Sequence, residues 1–154
     1  IKYSLLNCDA ANTPSIKGSS VSLTVTSPPF LDVVQYASDN WLRCWFNNID
    51  LDAVSKKITM SKTVKDWSDK MLSVFNELYR ITQKNGVVAF EVGDVRNGKI
   101  KLDEVVVPLG LQAGFSCEAI VINEQSFTKT ANIWGVGNNK RGTDSSKIVV
   151  FRTN

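Results

Sequence analysis

The stretch Leu23 to Phe30, LTVTSPPF, constrains this chain more than any other. Val21, Leu23 and Val25, with Thr24 and Thr26 between them, read as a buried strand, because β-branched residues fit a pleated sheet. Two consecutive prolines then stop it, since neither ring nitrogen can donate to a ladder. A strand cut off so abruptly leaves its turn at the edge of a sheet. Proline fixes its own φ and restricts the residue before it, so the Ser27 and Pro28 carbonyls point with little freedom. Phe30 adds a flat ring on which a base can stack. Such a turn suits the grip of a planar amine: converging acceptors hold the two hydrogens of an NH2 group and leave its lone pair facing an electrophile. The plainer alternative is a strand-ending turn beside a core phenylalanine.

The rest of the composition narrows the chemistry. With 154 residues the chain is expected to form a single domain over 1–154 with a real core. Hydrophobic residues make up 43% and charged residues 21%, which excludes a disordered chain, and no apolar run reaches transmembrane length. The formal charge of +3 permits nucleic-acid binding without requiring it. Histidine is absent, which removes Ser-His-Asp hydrolysis, Cys-His proteolysis and most zinc catalysis. Methyl transfer from a sulfonium survives that loss, because the leaving group is good and the amine needs positioning more than a strong base. Cys8, Cys44 and Cys117 stand far apart, which points to reduced thiols in a cytoplasm and to no metal site. The first residue is Ile1, and no signal peptide is apparent.

Thr26-Ser27-Pro28-Pro29-Phe30 resembles the catalytic motif of the S-adenosylmethionine-dependent DNA amino-methyltransferases, where [D/N/S]-P-P-[Y/F/W] follows the fourth strand of the sheet. The serine form is most similar to enzymes that methylate cytosine N4, although some adenine N6 enzymes share it. The resemblance implies an α/β fold, specifically part of a Rossmann-like class I methyltransferase sheet, strands three to seven, closed by a C-terminal antiparallel pair. It gives Ser27, Pro28, Pro29 and Phe30 the catalytic role and makes S-adenosylmethionine the cofactor and DNA the partner.

Along the chain, Tyr3 to Asn7 reads as a short strand presenting Asp9. The resemblance places Asp9 near the cofactor's adenine; as a plain residue it starts a turn or a helix cap. Asn12 to Ser20 is a turn-rich connector. Val33 to Phe46 has apolar residues at helical spacing, and most of its aromatics are expected in the core, against one of them lining the target pocket. Asn47 to Thr63 reads as a polar loop with Lys56, Lys57 and Lys62, either solvated or touching phosphates. Val64 to Lys84 is an amphipathic helix with Thr63 and Asp66 as a capping pair and Asn85-Gly86 as its end.

Gly86 to Asp94, GVVAFEVGD, is a second buried strand, similar to the family's L-K-P-G-G-x-x-x-x-x-V-G-D segment. It makes Glu91 and Asp94 pocket candidates; Asp94 reads equally as a turn residue. Lys101 to Ala113 is a helix containing Pro108 and Gly110, Ser116 to Asn123 a strand, and Ser145 to Phe151 the last strand, antiparallel to it. The loop between them, Ser126 to Thr143, resembles a family segment, and Asn138, Asn139, Lys140 and Arg141 are its candidates for DNA contact, against a loop that simply folds over the sheet.

No glycine loop of the cofactor-binding type follows an apolar strand. Gly135-Val136-Gly137 has the spelling but sits in a polar loop. The resemblance therefore covers the target-base half of the fold, and the cofactor loop would lie upstream, downstream, or on a second chain or dimer mate, in a split subunit, a fragment or a decayed enzyme. The alternatives are a non-catalytic nucleic-acid or interaction module on the remnant fold, and a methyltransferase acting on RNA or a protein amide.

Overall fold

A computed structural model describes residues 3–29, 31, 36–56, 58, 61–96, 98–124 and 145–154. Phe30 and the loop residues Asn138 to Arg141 lie outside the described residues. The elements run β1 (Val21–Thr26), α1 (Tyr36–Phe46), α2 (Leu51–Ser55), α3 (Val64–Ile81), β2 (Thr82–Val95), β3 (Ile100–Lys101), α4 (Leu102–Ala113), β4 (Ser116–Glu124) and β5 (Ser145–Arg152).

The sheet has the order β1-β2-β5-β4, with β3 pairing the end of β2. β1 and β2 are parallel, with Thr26 opposite Phe90. β5 runs antiparallel to both β2 and β4, as expected for the last two strands. This is the expected α/β, Rossmann-like sheet with its C-terminal antiparallel pair. In both parallel strands the carboxyl end reaches the same edge, so Ser27 and Asp94 emerge on one side of the molecule.

The core lies on one face of that sheet. α3 presents Trp67, Met71, Val74, Phe75, Leu78 and Ile81, all buried, which is the stripe its 3.6-residue period predicts. They pack on Val88, Phe90 and Val92 of β2 and on Val149 and Phe151 of β5, each fully buried, while α4 adds Leu102 and Val106. Thr63 caps α3 as expected: its hydroxyl accepts from the Asp66 N–H at 3.1 Å and donates to the Asp66 carboxylate at 2.7 Å.

Several elements depart from the sequence reading. Tyr3 to Asn7 forms no strand; it is irregular and exposed, with Leu5 91% accessible. A strand needs a neighbouring edge to satisfy its backbone, and this run pairs with none among the described residues. The fifth strand is instead the two-residue β3. α3 ends at Ile81, three residues early, because Thr82 turns extended and its hydroxyl donates to the Leu78 carbonyl at 2.6 Å. The polar loop contains α2, whose first turn is capped by Asp50 accepting from Asp52 and Ala53 N–H. Lys62 uses its carbonyl to accept from Arg96, in the turn after β2, at 2.9 Å.

The sequence predicts a buried β1, yet Leu23 and Val25 are 58% and 74% exposed. Side chains alternate across a strand, so the two share a face with Val87, Ala89, Ile148, Val150 and Val121, opposite α3 and α4. Parallel pairs are normally covered on both faces; among the described residues no helix lies on this one. The aromatics of α1, expected in the core, are also exposed: Trp41, Trp45 and Phe46 face solvent, and only Cys44 of the helix's described side chains is buried. Helical spacing shows that a face is apolar without saying what covers it.

The connector before β1 is fastened along α3. Glu77 accepts from the Thr13 hydroxyl at 2.5 Å and its N–H at 2.7 Å, while Arg80 reaches the Thr13 and Ile16 carbonyls at 3.1 Å. The Arg80 guanidinium first, then the Thr13 hydroxyl, lower the Glu77 carboxyl from 4.5 to about 2. A carboxyl held below its ordinary value contributes stability that is complete above 4.5 and is lost as pH falls towards 2. Acid titration followed by circular dichroism should therefore lose stability over that window, and Glu77→Gln should lose less of it while being weaker at neutral pH.

Candidate functional site: the proline turn at the sheet edge

β1 delivers the turn to the edge at full strand length, and the prolines then hold it. Ser27 is exposed there, while Pro28 and Pro29 are half-buried. The anchor of the turn comes from a distant element: the indole Nε1–H of Trp67 donates to the Pro29 carbonyl at 2.9 Å. Trp67 is 1% exposed in the first turn of α3, so a core side chain reaches up to fix one carbonyl of the motif. Sequence reasoning misses this residue. The signal that could have found it is a tryptophan early in an amphipathic helix, whose polar N–H needs a partner when buried. Leu31, 1% exposed, belongs to the buried core.

Extending the β1–β2 register by one position sets Ser27 level with Glu91. Glu91 falls on the open face of the sheet, where it accepts from the Ser146 hydroxyl.

Asp94 lies on the other face. Its carboxylate meets Lys147 at 2.8 Å, and the same ammonium meets Asp103, at the start of α4, at 2.8 Å. Lys147 and Asp103 are buried, so the three groups form a compact ion network where β2, β5 and α4 converge. Burial works to lower the Lys147 value, but the hydrogen bonds to Asp103 and Asp94 outweigh it and leave the ammonium raised above its ordinary 10.5.

Asp9 is tied to α3 one helical turn beyond Trp67. It accepts from the Ala11 N–H at 2.9 Å and pairs with Lys70 of α3 at 2.8 Å. Hydrogen bonding to Lys70, then to Ala11, holds its carboxyl below the usual range. Among the described residues no glycine pair opens a helix behind a strand. Gly110 and Gly114 face the rings of Phe151 and Tyr79, and Gly98 sits in the turn before β3.

Trp67→Phe keeps the ring packing and deletes the donor. It should destabilise the chain by about 1–2 kcal/mol through the unmet Pro29 carbonyl, readable by urea unfolding, while leaving the helical signal of α3 intact.

The mixed sheet, with β1 and β2 parallel and β5 antiparallel between β2 and β4, and the turn stiffened by two prolines at the carboxyl end of its outer strand give a Rossmann-like α/β fold. No family model and no curated protein matches the sequence. Solved structures do match. A candidate DNA modification methylase from Thermus thermophilus superposes with a TM-score of 0.52 at 20% identity, over 90% of this chain and 47% of its own. Its complex with S-adenosyl-L-methionine matches equally, at 0.52 and 19%. PvuII DNA methyltransferase, cytosine-N4-specific, gives 0.56 at 15% identity over 91% of this chain and 45% of its own. The chain spans about half the length of these solved chains.

Proposed function

We propose that this chain is the target-base half of an S-adenosylmethionine-dependent DNA amino-methyltransferase acting on cytosine N4 or adenine N6. The observation that carries the reading is the turn itself, stiffened by Pro28 and Pro29 and anchored through Trp67. With the Pro29 carbonyl engaged by the indole, Ser27 and the Pro28 carbonyl are the acceptors placed to meet the two hydrogens of an exocyclic amine. A base taken out of its stack would present that amine, with Phe30 as its stacking partner. Asp94, Asn138, Asn139, Lys140 and Arg141 remain candidates for contact with the substrate, and Asp9 for contact with the cofactor.

The cofactor loop belongs in this reading to a second α/β half, on the same polypeptide or another. Three features among the described residues support it: the outer edge of β1, which pairs with no strand, the uncovered face with Leu23 and Val25, and the exposed run Tyr3 to Asn7. A half that adds a strand to β1 would bring its own loop to the carboxyl edge beside Ser27.

The test is transfer of tritiated methyl from S-adenosylmethionine to unmethylated DNA, with RNA and protein as parallel substrates. The chain is assayed alone and with the polypeptide encoded beside it. Transfer to DNA by the pair, reduced tenfold or more in Ser27→Ala, is the expected result. Unaltered transfer in Ser27→Ala overturns the site, and micromolar cofactor binding by the chain alone overturns the division into halves. DNA retention without transfer would favour a non-catalytic binding module.

A further inference from the structure

The hairpin between β2 and β3 carries charge that the grip on the amine does not use. Val95 pairs with Ile100, so Arg96, Gly98 and Lys99 stand at the tip, beyond the carboxyl end of β2. The Lys99 N–H donates to the Arg96 carbonyl at 3.4 Å and closes the turn. Arg96 keeps its backbone at φ 56°, in the left-handed region that a residue with a Cβ enters at a steric cost. Its guanidinium reaches the approach to α3 and donates to the Lys62 carbonyl at 2.9 Å. Three exposed cations, Lys62, Arg96 and Lys99, are thereby gathered from segments 34 residues apart.

The acids of the neighbourhood are engaged elsewhere. Asp66 accepts from the Thr63 hydroxyl, Asp69 pairs with Lys65, Glu104 pairs with Lys101, and Asp94 and Asp103 share Lys147. Among the described residues no carboxylate forms an ion pair with Lys62, Arg96 or Lys99. Like charges held together without a counter-charge repel, and an anionic partner relieves that repulsion.

We infer that Lys62, Arg96 and Lys99 hold the DNA backbone phosphates beside the target nucleotide, an inference that rests on the reading of this chain as acting on DNA. Position supports it. Ser27 is level with Glu91, and Arg96 follows at the end of β2, ~16 Å further outward at about 3.3 Å per residue. The start of α3 bridges the two places: the Lys62 carbonyl meets the hairpin, and Trp67 meets the Pro29 carbonyl at 2.9 Å. A base swung out of the duplex leaves its phosphates with the strand. The turn can then hold the amine while the backbone lies further out, where the cations stand. Such contacts fix register on the duplex and read no sequence. An anionic lipid surface or an acidic peptide fits less well, because both add apolar anchors to charge. Among the described residues, none of the exposed large apolar side chains lies on the hairpin or in the run 61–66.

Fluorescence anisotropy of a labelled unmethylated duplex with the 154-residue chain, repeated over a series of salt concentrations, tests this. Each phosphate contact removed should reduce the slope of log K against log salt by about 0.9. Lys62→Gln, Arg96→Gln and Lys99→Gln should each show that decrease, and the triple variant should bind at least about tenfold more weakly with an unchanged circular dichroism spectrum. Arg96→Lys keeps the charge and should keep the slope. Lys17→Gln combined with Lys84→Gln, exposed cations at the amino end of β1 and β2, should change neither slope nor affinity. Wild-type slopes in all three single variants overturn the inference. So does an equal loss in the Lys17, Lys84 control, displacement by polyglutamate as effective as by duplex at equal charge, or no binding at about 100 µM in low salt. A methyl-transfer assay on the same wild-type chain, with the polypeptide encoded beside it, separates the two readings. Transfer with unaltered slopes overturns the phosphate contact alone, and reduced slopes without transfer overturn the reaction alone.

Discussion

Lys147→Met is expected to cost about 3–5 kcal/mol, the range for stripping one partner from a buried ion network. The wild-type ammonium sits 2.8 Å from both Asp94 and Asp103, with only 9% of its side chain exposed. Methionine nearly matches the volume, so packing changes little and the loss is electrostatic. It leaves two carboxylates facing each other, one of them buried at the start of α4, with no counter-charge between them. Equilibrium unfolding in urea should read the loss as a lower midpoint with an unchanged slope. Because the ammonium is raised above 10.5 in the folded state, its contribution is complete below that value and is lost as pH climbs through the raised one. The gap between wild type and variant should therefore be flat through neutral pH and narrow only in strong alkali. Asp94→Asn combined with Lys147→Met should be less harmful than the two losses added, since the pair couples directly. A variant within about 1 kcal/mol of wild type would show that the network contributes nothing net.

That network also marks where sequence reasoning runs out. Lys147 lies in SSKIVVF at the position that alternates with Val149 and Phe151, so period two alone places it on the buried face. A lysine there must have an acid, but Asp94 and Asp103 stand 53 and 44 residues away, and no local pattern links them. The Trp67 to Pro29 bond spans 38 residues and is invisible for the same reason. What is legible is local. Proline chemistry marks the end of β1, Thr63 and Asp66 mark the start of α3, and the run from Val88 to Val92 marks the central strand. Tyr3 to Asn7 and the α1 aromatics are legible as apolar, but their surroundings are not, because burial depends on what else is present in space. β1 shows both sides: its end follows from its own residues, and its open face does not.

A glycine decides the last case, in which two effects of opposite sign compete. Gly110 lies inside α4, where alanine is favoured over glycine by about 1 kcal/mol because it loses less backbone freedom. Helix propensity alone therefore predicts that Gly110→Ala stabilises. The added Cβ would lie 2.2 Å from Cε1, 2.5 Å from Cζ and 2.8 Å from Cδ1 of Phe151. That ring has no room to retreat: it is fully buried and meets Phe75 edge-on at 5.2 Å and Phe115 at 5.9 Å. Relief must come from moving α4 bodily away from β5, which opens space around Val106 and Phe115 and loosens the helix whose first turn carries Asp103. Overpacking of this kind costs about 1–3 kcal/mol and more where neighbours are locked, so the clash outweighs the propensity. The expected outcome is a net destabilisation of about 3 kcal/mol, seen as a lower thermal midpoint. Gly110→Ala together with Phe151→Leu, which removes the clashing ring atoms, should recover part of it. Stabilisation by the single alanine would mean that α4 and β5 are further apart than the packing of Phe151 requires.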